Sequence, residues 1–276
     1  LLADGELPVL GGFVGATAQG ETTTLGRGGS DTSAAVLGHA LAADEIQVWT
    51  DVDGLMTADP RLVAGARTQP SATYAEAAEL AFYGARVLHP ASIAPAVAGE
   101  IPLRVLNSLR PAAAGTRVSG GPGPGRTGGL AAVASRGARG LLRIVSRRMR
   151  MDPAFLPDVM RALEREEIVP DLLVSSEVAV NAVVDEAVAV EGLARRLSAA
   201  AGVELERGRG LICVVGDGLA AESCRGAVLA ALAAWHPDLV ALGASRISAA
   251  AIVPETVLER AVAELHRRFF EAEECP

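Results

Sequence analysis

Residues 111–129, PAAAGTRVSGGPGPGRTGG, hold seven glycines and three prolines. Glycine raises the backbone entropy that folding must overcome, and proline removes backbone donors, so such a run is expected to behave as a flexible connector rather than a packed element. A 276-residue chain with half its residues apolar can fill more than one core. The expected division is a first unit over 1–118, a linker over 119–129 and a second unit over 130–276.

Beyond the linker the chain partly repeats itself. GLLRIV at 140–145 answers GLICVV at 210–215, and PDLL at 170–173 answers PDLV at 237–240, a period of about 70 residues. Each copy reads strand, helix, strand, strand, helix, with helices expected over 154–166, 187–201, 220–235 and 255–271. Thr256 and Glu259 have the spacing of a capping box, and Leu258, Val262, Leu265 and Phe269 share one face of the last helix. The first copy, about 138–207, can close with a strand at 203–206. The second, about 208–276, runs out of chain, and LAAVAS at 130–135 is left over. The spare strand is therefore expected to complete the second copy, interleaving the two modules.

The first unit alternates short apolar runs at 7–14 (LPVLGGFV), 46–50 (IQVWT) and 101–107 (IPLRVLN) with helix-like stretches at 32–43 and 75–82. That is the pattern of a parallel α/β sheet with buried strands. Three strands make a small sheet to bury on both faces, and the chain opens at Leu1 in a charged turn, so a front portion is expected to be missing.

No uncharged apolar run reaches bilayer-spanning length, and the three cysteines (Cys213, Cys224, Cys275) have no metal or CxxC spacing, which fits reduced thiols in a soluble, cytoplasmic protein. His39, His89, His236 and His266 are scattered and read as structural. The net charge of −8 is spread over both units, so no basic face for nucleic acid is expected. All 25 basic residues are arginine. Any contact to phosphate must use Arg, backbone or metal.

Three stretches of the first unit could carry chemistry. TTTLGRGGSDTSAA at 22–35 places Arg27, Gly28, Gly29, Ser30 and Asp31 in a turn opening into a helix, where backbone N–H groups converge on an anion and Arg27 offers a planar fork. The alternative is an ordinary helix start capped by Asp31 or Thr32. VWTDVDGLMTADPR at 48–61 leaves a strand into a loop with Asp51, Asp53, Asp59 and Arg61, at the end of a sheet where ligands of α/β folds bind. The same residues are also common turn punctuation. YGARVLHP at 83–90 adds Arg86 in a short loop.

Together with GGFVGAT and the later SSEVAV, these stretches resemble the motifs of the aspartate kinase family, in their order and over nearly the whole chain. The resemblance implies a partial amino-acid-kinase αβα sandwich followed by two ferredoxin-like (βαββαβ) ACT modules. It implies transfer of phosphate from ATP, with Mg²⁺, to the side-chain carboxylate of aspartate. By the same resemblance Asp31 is the catalytic-site acid, and Arg27, Gly28, Gly29 and Ser30 hold aspartate. Thr50, Asp51, Met56, Arg61, Arg86 and Val87 face the nucleotide, with Met56 where many relatives have Tyr and Arg86 where they have Lys. The family's opening K-F-G-G-T motif is not in this sequence, and the chain as it stands is expected to be inactive.

In that family paired ACT modules bind an end-product amino acid at a dimer interface. The matching residues are Met149, Asp152, Phe155, Leu156, Asp171, Ser176 and Glu177, with lysine the expected effector, threonine the runner-up, and a homodimer the expected assembly. Asp152 with Pro153 also reads as a plain helix start, Asp at the cap and Pro at the first position. Two other readings remain from the sequence: a non-catalytic regulatory subunit that binds an amino acid, and another amino-acid-kinase-fold enzyme acting on glutamate or a nucleotide.

Overall fold

The structure, a computed structural model, describes residues 5–84, 87–121, 129–147, 153–243, 245–272 and 275. The first unit is built on a four-stranded sheet. Its strands are β3 (Ile46–Thr50), β4 (Ser71–Thr73), β5 (Leu103–Asn107) and β6 (Thr116–Ser119), in the order β3-β5-β6-β4. β3 runs parallel to β5 and β4 parallel to β6, while β5 and β6 are antiparallel. A separate hairpin pairs β1 (Val14–Ala16) with β2 (Thr22–Thr24). Helices α1 (Gly29–Ala40), α2 (Tyr74–Tyr83) and α3 (Pro90–Ala98) complete the unit.

Two expectations fail here, each for a local reason. LPVLGGFV is not a buried strand: Leu7, Val9 and Leu10 are exposed, and only Val14 enters the short hairpin. Among the described residues no neighbouring strand pairs with 7–13, so the run's apolar side chains have nothing to bury against. The glycine-proline run is not connector throughout either. Thr116 and Val118 are fully buried in β6, and the Thr116 hydroxyl accepts from Leu55 N–H (2.9 Å) and donates to the Gln69 carbonyl (2.6 Å). Two β-branched residues at period two suffice for a strand, and the surrounding glycines and prolines mask them in a composition average. Residues 122–128 lie outside the described part.

Strand β3 is also only half buried. Ile46 and Val48 face the core while Gln47 and Trp49 face out, as an edge strand covered on one side requires.

The second unit is one antiparallel sheet of six strands, in the order β11-β12-β10-β7-β9-β8. The strands are β7 (Ala132–Ser146), β8 (Leu172–Ser175), β9 (Ala179–Asp185), β10 (Ala201–Val215), β11 (Leu239–Leu242) and β12 (Ser248–Pro254). The helices are α4 (Phe155–Arg165), α5 (Glu191–Leu197), α6 (Glu222–Ala233) and α7 (Glu255–His266), the last continuing as a π-helical turn, Arg267–Glu271. β7 and β10 pair along their lengths with register shifts near Arg209. Residues 132–135 lie against 212–215, and 139–146 against 201–209. Each long strand thus serves the second repeat with one half and the first with the other.

Helix α4 buries Phe155, Val159, Ala162 and Leu163 at helical spacing. Ala249, Ala250 and Ala251 of β12 are buried on both faces and leave room for close packing. The caps differ from expectation. β12 passes straight into α7, so Pro254 is the N-cap and no side chain caps it; Glu255 instead accepts from Ala138 N–H at 2.8 Å. α4 is capped by Ala154, so Pro153 precedes the helix.

The two units meet in two apolar clusters. Leu80 and Tyr83 of α2 cluster with Leu211, Cys213 and Ala134, while Ala58 and Val63 join the cluster of Leu265, Phe269 and Phe270. Among the described residues no helix is long and apolar enough to cross a membrane.

Candidate functional site

The GRGGSD turn is built from its backbone outward. Gly28 caps α1 with φ 71°, and no side chain caps the helix. A Cβ at Gly28 would lie 2.3 Å from that of His89, so only glycine lets the turn close on the start of α3. Neither Asp31 nor Thr32 is the cap. Asp31 sits in the first turn, and the Thr32 and Ser33 hydroxyls bond back to the carbonyls of Gly28 and Gly29 (both 2.9 Å). Ser33 Oγ also accepts from Phe13 N–H at 3.1 Å, tying the hairpin side to the helix.

This leaves the helix start facing outward with Arg27 and Ser30 exposed and Asp31 half-buried. Burial pushes the Asp31 carboxyl above its ordinary value, and the neighbouring His89 side chain partly offsets that. His89 in turn caps α3, its Nδ1 accepting from Ala91 N–H at 3.3 Å.

The short connection over 41–45 makes α1 run back against β3. The turn and the loop that follows β3 therefore lie at the same end of the sheet, beyond the carboxyl ends of parallel β3 and β5. There Ser108 binds the Thr50 carbonyl through N–H (2.8 Å) and hydroxyl (2.9 Å), and the Thr50 hydroxyl donates to Asp51 at 3.1 Å. Asp51 is exposed. Asp53 is held by Asn107 Nδ2 (2.7 Å) and by Arg110. Asp59 is held by Arg61, which donates from Nη2 at 2.6 Å and from Nε at 3.0 Å and keeps the Asp59 carboxyl below its ordinary value. Met56 bridges to Thr68, whose hydroxyl lies 3.4 Å from its sulfur. Val87 is half-buried and packs on the core, and Arg86 lies outside the described residues.

The residues expected to meet an effector are not all gathered. Phe155 is buried in the α4 core, Leu156 beside it is partly exposed, and Ser176 accepts from Ala179 N–H at 3.2 Å in the exposed turn that also carries Glu177. Met149 and Asp152 lie outside the described residues. Asp171 pairs with β7 of its own unit: Arg136 lies at 2.6 Å and Arg139 at 3.5 Å. The Arg136 guanidinium also binds the Phe82 carbonyl at the end of α2 and lies over the Phe82 ring. Arg139 is shared with Asp185 at 3.1 Å, and the buried Asp171 Oδ2 makes no hydrogen bond among the described residues.

Sequence reasoning missed Asn107 and Arg110, which fix Asp53, and the contact of Thr57 with His266 at 2.9 Å. Asn107 was findable in principle, since it ends a strand parallel to β3. Thr57 and His266 are 209 residues apart and leave no local signal.

An α/β unit with an open helix start beside a strand-end loop defines the class. Residues 1–107 match the model of the amino acid kinase family. Over 96% of its length the chain is 38% identical to the lysine-sensitive aspartokinase 3 of Escherichia coli, of which it covers 61%, and over 98% it is 36% identical to the chloroplastic aspartokinase 3 of Arabidopsis thaliana, of which it covers 50%. It superposes with a TM-score of 0.81 and 37% identity on the crystal structure of E. coli aspartokinase III in complex with aspartate and ADP (R-state), covering 94% of this chain and 60% of that one. The complex with lysine and aspartate (T-state) matches equally well. The chain belongs to the aspartokinase family, with an α/β kinase-type unit followed by ferredoxin-like ACT modules. It spans about half to three fifths of the length of these curated relatives.

Proposed function

We propose that this chain supplies the aspartate- and nucleotide-facing part of an aspartate kinase, converting ATP and L-aspartate to ADP and 4-phospho-L-aspartate, the committing step toward lysine, threonine and methionine. The observation that carries the reading is the uncapped start of α1, with Arg27 and Ser30 exposed and Asp31 half-buried, at the same end of the sheet as the loop after β3. Such a helix start attracts a carboxylate through free N–H groups and the helix dipole, and Arg27 adds a bidentate partner. Asp31 stands beside it to organise the transfer. Thr50, Asp51, Met56, Arg61, Arg86 and Val87 are assigned to ATP. Transfer of this kind needs alignment and charge neutralisation rather than a covalent intermediate, and these residues can supply both.

Among the described residues no group of three His, Cys, Asp or Glu could hold a metal ion, and Asp53 and Asp59 are already paired. That donor set suits Mg²⁺ arriving on the nucleotide, with phosphates as its main ligands and Asp51 as the exposed carboxylate nearby. The ion would supply charge neutralisation at the phosphates.

Regulation by lysine, with threonine second, is proposed for the first ACT module. It rests on the names of the relatives and on the α4 start and exposed Ser176–Glu177 turn, with Met149 and Asp152 in the same stretch; Asp171 is assigned to the contact with α2. The outer strands β8 and β11 leave edges through which a homodimer can form. The three cysteines are unbridged and buried, consistent with a cytoplasmic setting.

The test is trapping of the acyl phosphate with hydroxylamine in the full-length protein, with aspartate and glutamate compared as acceptors. Arg27→Ala is expected to raise the aspartate KM selectively, because removing the partner of a bound carboxylate costs about 2–5 kcal/mol. Equal turnover of glutamate, or an unchanged aspartate KM, would reject the assignment.

A further inference from the structure

We infer that His266, at the end of α7 in the second ACT module, is a positioning residue for nucleotide binding that acts through Thr57. This rests on the reading of the loop after β3 as the ATP side of the site. The geometry begins with burial: Thr57 is 3% exposed and His266 fully buried. The loop that carries Thr57 is anchored by Ala58 and Val63, which sit in the core of the second module with Leu265, Phe269 and Phe270.

The main-chain groups of Thr57 are both paired: its N–H donates to the Arg67 carbonyl (2.8 Å) and its carbonyl accepts from Val133 N–H (2.8 Å). Its Oγ1 accepts from Arg67 N–H (2.9 Å). The hydroxyl proton is free to donate, and His266 Nε2 stands 2.9 Å away.

The other side of the ring settles the direction. His266 Nδ1 lies 3.2 Å from Glu271 Oε1, and a carboxylate can only accept. Nδ1 therefore carries the proton, Nε2 is the acceptor, and Thr57 donates to it. Phe270 stacks on the ring at 5.1 Å between centroids, and Arg67 also binds the Phe270 carbonyl. Burial lowers the pKa of His266, with Arg67 acting the same way and Glu271 opposing, which favours the neutral ring. Every donor and acceptor fits one arrangement.

The consequence falls two residues further on. Asp59 accepts from Leu62 and Val63 N–H at 3.0 Å to close a turn, and its carboxylate aims Arg61. With Thr57 pinned to the second module, the turn that presents Arg61 is pinned as well. Nucleotide affinity is thus set partly by a side chain of the regulatory region, while the aspartate turn, held by the hairpin and His89, is untouched.

The experiment measures initial rates of the full-length protein against ATP and aspartate. Thr57→Val keeps the shape and removes both bonds of the hydroxyl, the one to His266 Nε2 and the one from Arg67 N–H, and it is expected to raise the ATP KM about ten- to a hundredfold, the worth of two ordinary hydrogen bonds, with the aspartate KM unchanged. Thr57→Ser should restore the wild-type value, and His266→Asn, which retains a group near Nδ1 only, should reproduce the Thr57→Val pattern. A role in stability alone would lower the unfolding temperature and leave both KM values in place; that result, or an equal rise in both, overturns the inference. Arg61→Ala separates the two levels. An ATP KM raised by Arg61→Ala and not by Thr57→Val defeats the inference alone, and no change in either defeats it together with the reading of the loop.

Discussion

The two halves of the candidate site are held in opposite ways. The turn at 26–31 is fixed from within the first unit: by the β1–β2 hairpin, the back-bonded hydroxyls of Thr32 and Ser33, and His89 behind Gly28. The loop at 51–69 has Asn107 and Arg110 of its own unit on Asp53 but is fixed as well from the second unit, by Val133 and His266 on Thr57 and by Ala131, whose carbonyl accepts from Gln69 Nε2 at 2.5 Å. One half is preformed within the kinase-type unit. The other takes its position in part from the regulatory one, and a switch in the second module can reach the nucleotide without disturbing aspartate.

The strongest way to break this comparison is to strike the glycine beneath each half. Gly54, at φ 131°, lies where a Cβ would meet Thr116 Oγ1 at 2.3 Å, as one at Gly28 would meet the Cβ of His89. Gly28→Ala and Gly54→Ala are each expected to cost about 2–4 kcal/mol of stability from strain and overpacking, read as a shift in urea midpoint. Where the variants remain folded, Gly28→Ala should raise the aspartate KM and Gly54→Ala the ATP KM. The same change in both constants for either variant would show that the halves are not independently held.

The same contrast explains what could be read from the sequence. GRGGSD and TDVDG are contiguous, so their place at a helix start and a strand end was legible, as were α4 and α7 from their helical spacing. Thr57 and His266 behave differently. Each looks ordinary in its own stretch, and only folding brings them together. Asp171 shows the same limit, since its pairing with Arg136 and Arg139 leaves no mark in its own stretch of sequence. LPVLGGFV and the Thr116–Ser119 strand failed oppositely: strand propensity without a neighbour stays exposed, and two buried residues with neighbours form a strand inside a glycine-rich run.

A smaller effect is expected at the second point where the units meet. Asp171→Ala leaves Arg136 and Arg139 facing one another and is expected to cost about 1–3 kcal/mol, less than a fully buried pair because Arg136 keeps its contacts to Phe82 and some exposure. In a double-mutant cycle Asp171→Ala and Arg136→Ala should show coupling of about 1 kcal/mol. Additive losses would mean that Asp171 is spare, and would return it to the pool of effector ligands.

The smallest effect is a pH dependence, and it reads the far-held half directly. His266 has its pKa lowered by burial in the folded state, with Glu271 and Arg67 the charged groups facing it. As the pH falls below the ordinary histidine value, the unfolded chain takes up a proton that the folded one refuses, so this group's stabilisation, complete above that value, is lost as the pH descends through the folded pKa. One proton changes stability by at most about 1.4 kcal/mol per pH unit. Wild type and His266→Gln, unfolded in urea between pH 7.5 and 5, should therefore show a stability difference that shrinks toward acid. The ATP KM of the wild type should rise only at the acid end, as the pH reaches the lowered folded pKa and a protonated Nε2 can no longer accept from the Thr57 hydroxyl, while the aspartate KM stays level. Parallel stability curves for the two proteins would show that the ring is protonated as readily inside the fold as outside it, and that Thr57 is not held by the neutral tautomer.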